Sequence, residues 1–96
     1  MKIVGRSVLE GFCAKHIDAR RWVDNWLSDT EEASWAKPQD IRQRYSSASF
    51  LAGNTVIFNV KGNEYRLEVT CAYQTRVIVV KWIGTHAEYD ERNSKR

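Results

Sequence analysis

Residues 58–69 read FNVKGNEYRLEV, and their reading decides the fold. Gly62-Asn63 suits a two-residue hairpin turn, with glycine supplying positive φ at the first position. That turn pairs Lys61 with Glu64, Val60 with Tyr65, Asn59 with Arg66, Phe58 with Leu67 and Ile57 with Glu68. Side chains alternate between the two faces of a strand. One face then carries Val56, Phe58, Val60, Tyr65, Leu67 and Val69, which is a core. The other carries Thr55, Asn59, Lys61, Arg66, Glu68 and Thr70. Polar side chains on such regular positions mean a face open either to solvent or to a ligand.

A third strand follows in RVIVVKWI, residues 76–83, whose apolar run does not set its own register. A tight turn at Gln74-Thr75 places Val80 opposite Val69, Trp82 opposite Leu67 and Lys81 opposite Glu68. Lys81 then lies on the polar face, where a charge belongs; a one-residue slip would bury it at a cost of several kcal/mol. The same register returns Gly84 beside Tyr65. Thr85 and His86 emerge next to Arg66 and Lys61, with Tyr89 and Asp90 just beyond.

Upstream the pattern is helical. KIVG, residues 2–5, is a short strand. Ser7 has the chemistry of an N-cap, and Val8, Leu9, Phe12, Cys13 and His16 follow on one helical face. A second helix starts near Asp18 and buries Ala19, Trp22, Val23, Trp26 and Leu27, giving a helical hairpin. Trp35 seals the joint. Pro38 opens a short third helix with Ile41 and Tyr45 inside, while Arg42 and Arg44 point elsewhere. SSAS, residues 46–49, is a polar break, and residues 91–96 form a frayed tail. The fold class is α+β in a single domain spanning 1–96: a short N-terminal strand, a helical hairpin, a short third helix and a twisted antiparallel sheet with helices on one face.

The totals narrow the function. A length of 96 residues allows one small core, so few polar groups are buried idly. The net charge of +3 is divided evenly along the chain, so a basic site must be assembled by folding. Cys13 and Cys71 sit at apolar-periodic positions and read as buried free thiols. Two Cys and two His at these spacings make neither a disulfide framework nor a zinc site, so no metal and no cofactor are expected. With no signal-peptide core and no long apolar run, the expected location is cytoplasmic and no membrane partner is expected.

Lys61, Arg66, His86 and Tyr89 together suit a phosphodiester. Cleaving RNA without a metal needs a base for the 2′-hydroxyl, cationic donors for the phosphorane and an acid for the 5′-oxygen. Arg66 suits a bidentate phosphate clamp, Lys61 adds a point charge, and His86 exchanges a proton near neutrality. Tyr89 positions RNA by stacking or assists proton transfer. Asn59, Asn63, Lys81 and Arg44 are candidate RNA-binding residues. Glu68 orients Lys81 in this reading. The same face also fits a non-catalytic RNA- or ribosome-binding module, or a protein-interaction surface; His86 in a loop or as an N-cap is the bland alternative.

DIRQRYSSASF, VIFNVKGNEYRL and GTHAEYD, in that order, resemble the HigB family of toxins from type II toxin–antitoxin systems, within the RelE-like group. The resemblance is clearest from Pro38 to Asp90. It implies a RelE-like fold and a ribosome-dependent endoribonuclease that cuts mRNA in the ribosomal A site and inhibits translation. It implies a cognate HigA-like helix-turn-helix antitoxin, with operator DNA bound only through the toxin–antitoxin complex. Arg66 resembles the group's middle-strand arginine at the scissile phosphate, and His86 stands where the group carries an Arg, Asp or His. Tyr89 is near its C-terminal aromatic position, and Lys61 resembles its hairpin lysine.

Overall fold

The computed structural model describes residues 1–94. Its order is β1 (Lys2–Val4), α1 (Arg6–Lys15), a 3-10 turn (Ile17–Ala19), α2 (Arg20–Glu32), α3 (Pro38–Arg44), β2 (Ser49–Leu51), β3 (Thr55–Val60), β4 (Tyr65–Ala72), β5 (Val77–Thr85) and α4 (His86–Ser94). One five-stranded sheet runs β1-β5-β4-β3-β2. The α+β class of the RelE-like fold is as expected. The sheet is mixed, because β1 lies parallel to β5. Among the described residues no helix is long and apolar enough to cross a membrane.

The hairpin register is the expected one throughout: Val60 faces Tyr65, Asn59 faces Arg66, Phe58 faces Leu67 and Ile57 faces Glu68. The turn differs. The ladder stops at Val60–Tyr65, and Lys61 and Gly62 both carry positive φ, 51° and 70°. Residues 61–64 are therefore a four-residue loop in which Lys61 leaves the strand and its face.

Val56, Phe58, Val60, Leu67 and Val69 are fully buried on the helix side of the sheet, as their alternation requires. Leu9 and Cys13 of α1, Val23 and Trp26 of α2, and Ile41 of α3 close over them. Trp26 meets Phe58 edge-on at 5.6 Å, and Tyr45 meets it from another side at 5.2 Å. Each such large side chain contributes about 1.5–3 kcal/mol of burial free energy. Cys13 and Cys71 are free and buried, and burial pushes the Cys71 thiol up to about 11.

Several elements depart from the sequence pattern. α1 begins at Arg6 behind Gly5, so Ser7 lies inside the first turn and does not cap it. Val8 is on the exposed side, and Leu9 and Cys13 carry the burial. β2 starts at Ser49, the last residue of the expected polar break, and is a strand the pattern does not announce; Phe50 pairs with Val56 and adds a three-residue edge strand to the sheet.

The largest departure is in β5. Val80 faces Val69 as expected, but Trp82 faces Glu68 and Ile83 faces Leu67. A β-bulge makes Lys81 an extra residue, so the expected Lys81–Glu68 pair does not form. Packing explains it. The bulge keeps both Val80 and Ile83 on the core side and moves the bulky Trp82 to the other face, where there is room. Gly84 accordingly lies beside Arg66, and Thr85 beside Tyr65.

The second face of the sheet is not open along its length. Residues 86–94 form α4, where a loop and a frayed tail are expected; residues 95–96 of that tail lie outside the described residues. Thr85 starts the helix with a capping box. Its Oγ1 accepts from the Glu88 N–H at 3.1 Å, and Glu88 Oε1 accepts from the Thr85 N–H at 2.8 Å. These hydrogen bonds, chiefly the one from the Thr85 backbone, hold the Glu88 carboxyl below its usual range. α4 then crosses the polar face. Tyr89 is buried, 6.0 Å from Trp82, and Arg92 lies over the Trp82 ring at 4.9 Å. Arg92 also donates to Glu68 at 2.7 Å, which gives this buried carboxylate a cationic partner in place of Lys81.

Candidate active site

The site forms where β4, the end of β5 and the first turn of α4 meet. Ladder pairing fixes Arg66 beside Gly84, two residues before His86. The His86 N–H donates to the Glu64 carbonyl at 3.1 Å, which ties the start of α4 to the hairpin loop. A methyl group on Gly84 would meet the Trp82 ring at 2.5 Å and Glu88 at 3.0 Å. Glycine at this position leaves the space that the indole occupies beside the neighbour of Arg66.

Arg66 is held from three sides. Its guanidinium lies 5.2 Å from the centre of the Tyr89 ring, donates to Asn63 Oδ1 at 3.3 Å and stands 3.3 Å from His86 Nε2. An arginine has no lone pair to offer, so it can only donate. Where the two share a hydrogen bond, Arg66 is the donor and Nε2 the acceptor. The same Nε2 is 3.5 Å from Asp90 Oδ2, one helical turn further along α4. The same nitrogen thus stands between a cationic donor and a carboxylate.

The structure brings Arg66, His86, Tyr89 and Asn63 together, with Asn59 half-buried opposite Arg66 on the same face. Lys61 is not in that cluster. It pairs with Asp18 at 3.0 Å, and Tyr65 Oη donates to the same carboxylate at 2.8 Å. These donors, Lys61 first, hold the Asp18 carboxyl below its ordinary range, and Asp18 in turn raises the Lys61 ammonium. Tyr89 is buried under Arg66 and packs there, without a face turned to solvent for stacking. Arg44 is on α3, in an ion pair with Asp29 beside Tyr45, away from the cluster. Lys81, turned out by the bulge, is exposed and lies toward α1.

Asp18, Glu88 and Arg92 also shape the site and have no site role in the sequence reading, which places Asp90 beside the corner without assigning it one. Thr85-x-x-Glu88 is a capping-box signature and was open to recognition. The Asp18–Lys61 pair spans 43 residues and leaves no local trace. Among the described residues no three His, Cys, Asp or Glu side chains gather where they could hold a metal ion.

A family model described as HigB_toxin, the RelE-like toxic component of a toxin–antitoxin system, matches residues 19–92. That span runs from the 3-10 turn to Arg92 and takes in the whole cluster. The chain belongs to the HigB toxin family. A search of curated proteins gave no match. Membership of the HigB family makes the chain the toxic component of a toxin–antitoxin system and implies an antitoxin as its partner.

Proposed function

We propose that this HigB-family toxin is a ribosome-dependent mRNA endoribonuclease that cuts in the A site and so inhibits translation. The observation that carries the proposal is the Arg66–His86 contact. A strand holds the guanidinium 3.3 Å from an imidazole nitrogen, at a partly exposed corner. In the reaction we propose, Nε2 of His86 takes the 2′-hydroxyl proton as that oxygen attacks the adjacent phosphorus. The imidazolium turns to Asp90. Arg66, released, donates to the non-bridging oxygens as charge builds on the phosphorane. The bond to the 5′-oxygen then breaks, leaving a 2′,3′-cyclic phosphate; the 5′-oxygen takes its proton from water, and His86 returns the proton it accepted to solvent. Asn63 positions the guanidinium, and Tyr89 supports it from below.

The ribosome supplies what the toxin lacks. With a net charge of only +3 and Lys61 engaged by Asp18, we expect weak binding to naked RNA in physiological salt. The antitoxin in this reading is a HigA-like helix-turn-helix protein, and operator DNA is bound only through the complex. The toxin acts in the cytoplasm, where its substrate is, and the chemistry described needs no metal.

Primer extension on a defined mRNA, with and without programmed ribosomes, tests the proposal. The expected result is a new 5′ end within the A-site codon that requires ribosomes and disappears with Arg66→Ala and with His86→Ala. Stalled ribosomes carrying intact mRNA would overturn it in favour of a binding module on the same face.

A further inference from the structure

Beside the Arg66–His86 corner, a second concave surface of about 300 Å³ separates the end of α1 from the start of α4. Its lining includes Phe12, Lys15 and His16 from α1, Lys81 and Trp82 from β5, and Glu88. Three observations give it a chemical character. First, the bulge in β5 aims Lys81 into this cleft and away from Glu68. Bulges next to active sites serve to redirect a side chain in this way. Second, neither Lys15 nor Lys81 is in an ion pair among the described residues, whereas Lys61, Arg44 and Arg92 all are. Third, His16 is fixed in place: its ring stacks on Phe12 at 4.3 Å and stands edge-on to Tyr65 at 5.3 Å. The carboxylate in the lining, Glu88, is engaged by the Thr85 N–H. Two uncommitted ammonium groups and an immobilised imidazole thus face one hollow. Trp82, on its floor, also lies against Gly84, the strand neighbour of Arg66.

We propose that this cleft binds the phosphodiester backbone of single-stranded RNA immediately beside the cut, with Lys15 and Lys81 on successive phosphates and His16 donating or accepting between them. The inference rests on the endoribonuclease reading for its orientation, and it adds a subsite outside the reacting groups. A backbone ligand fits better than an acidic protein segment because the cleft is continuous, through Trp82, with the place where the scissile phosphate would sit.

The test is fluorescence anisotropy with a short, labelled single-stranded RNA carrying 2′-O-methyl groups throughout, which 2′-hydroxyl attack does not cleave. Wild type and Lys15→Ala/Lys81→Ala are titrated over a range of salt concentrations. Each phosphate contact on a single strand contributes about 0.7 to the slope of log K against log salt, so losing two lowers it by about 1.4. The double variant is expected to bind several-fold more weakly at low salt, with that loss of slope and an unchanged thermal melt, since both lysines are exposed. An unchanged slope, or no RNA binding by wild type at low salt, would overturn the subsite. So would an unchanged slope with loss of the antitoxin complex, which would make the cleft a protein interface. Ribosome-dependent cleavage by wild type and His86→Ala is followed in parallel. Absence of cleavage there removes the endoribonuclease reading while leaving the slope comparison to judge the cleft.

Discussion

Replacing Arg92 by alanine measures how firmly α4 is fixed to the sheet. Its guanidinium donates to Glu68 at 2.7 Å, and Glu68 is only 7% exposed. Breaking a fully buried pair costs about 3–5 kcal/mol where the remaining charge has no other partner, and Glu68 keeps a further interaction. The Arg92 side chain is 33% exposed, so water screens part of this and about 1–2 kcal/mol remains. Loss of the contact over Trp82 adds roughly 0.5–1 kcal/mol. The expected total is about 1.5–3 kcal/mol, a large share of the roughly 5–10 kcal/mol available to a domain of this size. Urea denaturation followed by tryptophan fluorescence gives the change in midpoint, with the slope unchanged if unfolding stays two-state. A cycle with Glu68→Gln isolates the pair, and a coupling of about 1–2 kcal/mol is expected. A total below about 0.5 kcal/mol would place the pair among ordinary surface bridges and refute α4 as a fixed layer on this face.

Three further outcomes follow from the same geometry. Arg66→Ala should lower ribosome-programmed cleavage by about 10²–10³ in single-turnover primer extension, the usual loss for a donor to developing charge, and Arg66→Lys should recover only part of it; recovery in full would show that charge alone suffices. The Asp18 carboxyl is depressed by Lys61 and Tyr65, so its contribution is present above about pH 4 and disappears as pH falls through its lowered folded-state value. Stability measured from pH 2 to 6 should therefore fall less steeply toward acid in Asp18→Asn than in wild type, and identical profiles would sink that account. Thr85→Ala removes the side-chain half of the capping box and should cost about 1 kcal/mol, seen as a melting temperature lower by roughly 4–8 °C.

The hairpin was legible because two signals agreed: alternation along β4 and at the turn end of β3, broken only at Ile57, and a glycine-containing turn between the strands. Either alone leaves the register open. β5 offered neither. With Val77 to Val80 apolar at every position, nothing in the sequence distinguished a straight strand from a bulged one, and Lys81 was placed by its charge alone. That argument kept it out of the core correctly but gave it the wrong partner. Glu68 found its cation 24 residues away, on a helix whose apolar content is too low to announce itself. The site was legible in part for a related reason. Arg66 and His86 are joined by ladder geometry, which follows from register, and the slip of one position still left them adjacent. Lys61 was set by a loop conformation and by a carboxylate in the 3-10 turn, and neither has a short-range signature.

The bulge has a consequence when β5 is considered as a string of insertions and deletions. Strike Lys81 from the chain, and Val80, Trp82, Ile83 and Gly84 alternate inward and outward without a break. Lys81 is in that sense one letter added to a complete strand. The sheet could lose it and keep its core, its hairpin and the neighbours of Arg66. What would go with it is a single positive charge at the mouth of the cleft, so chains differing by this one-residue indel would share a fold and differ in the charge of that cleft.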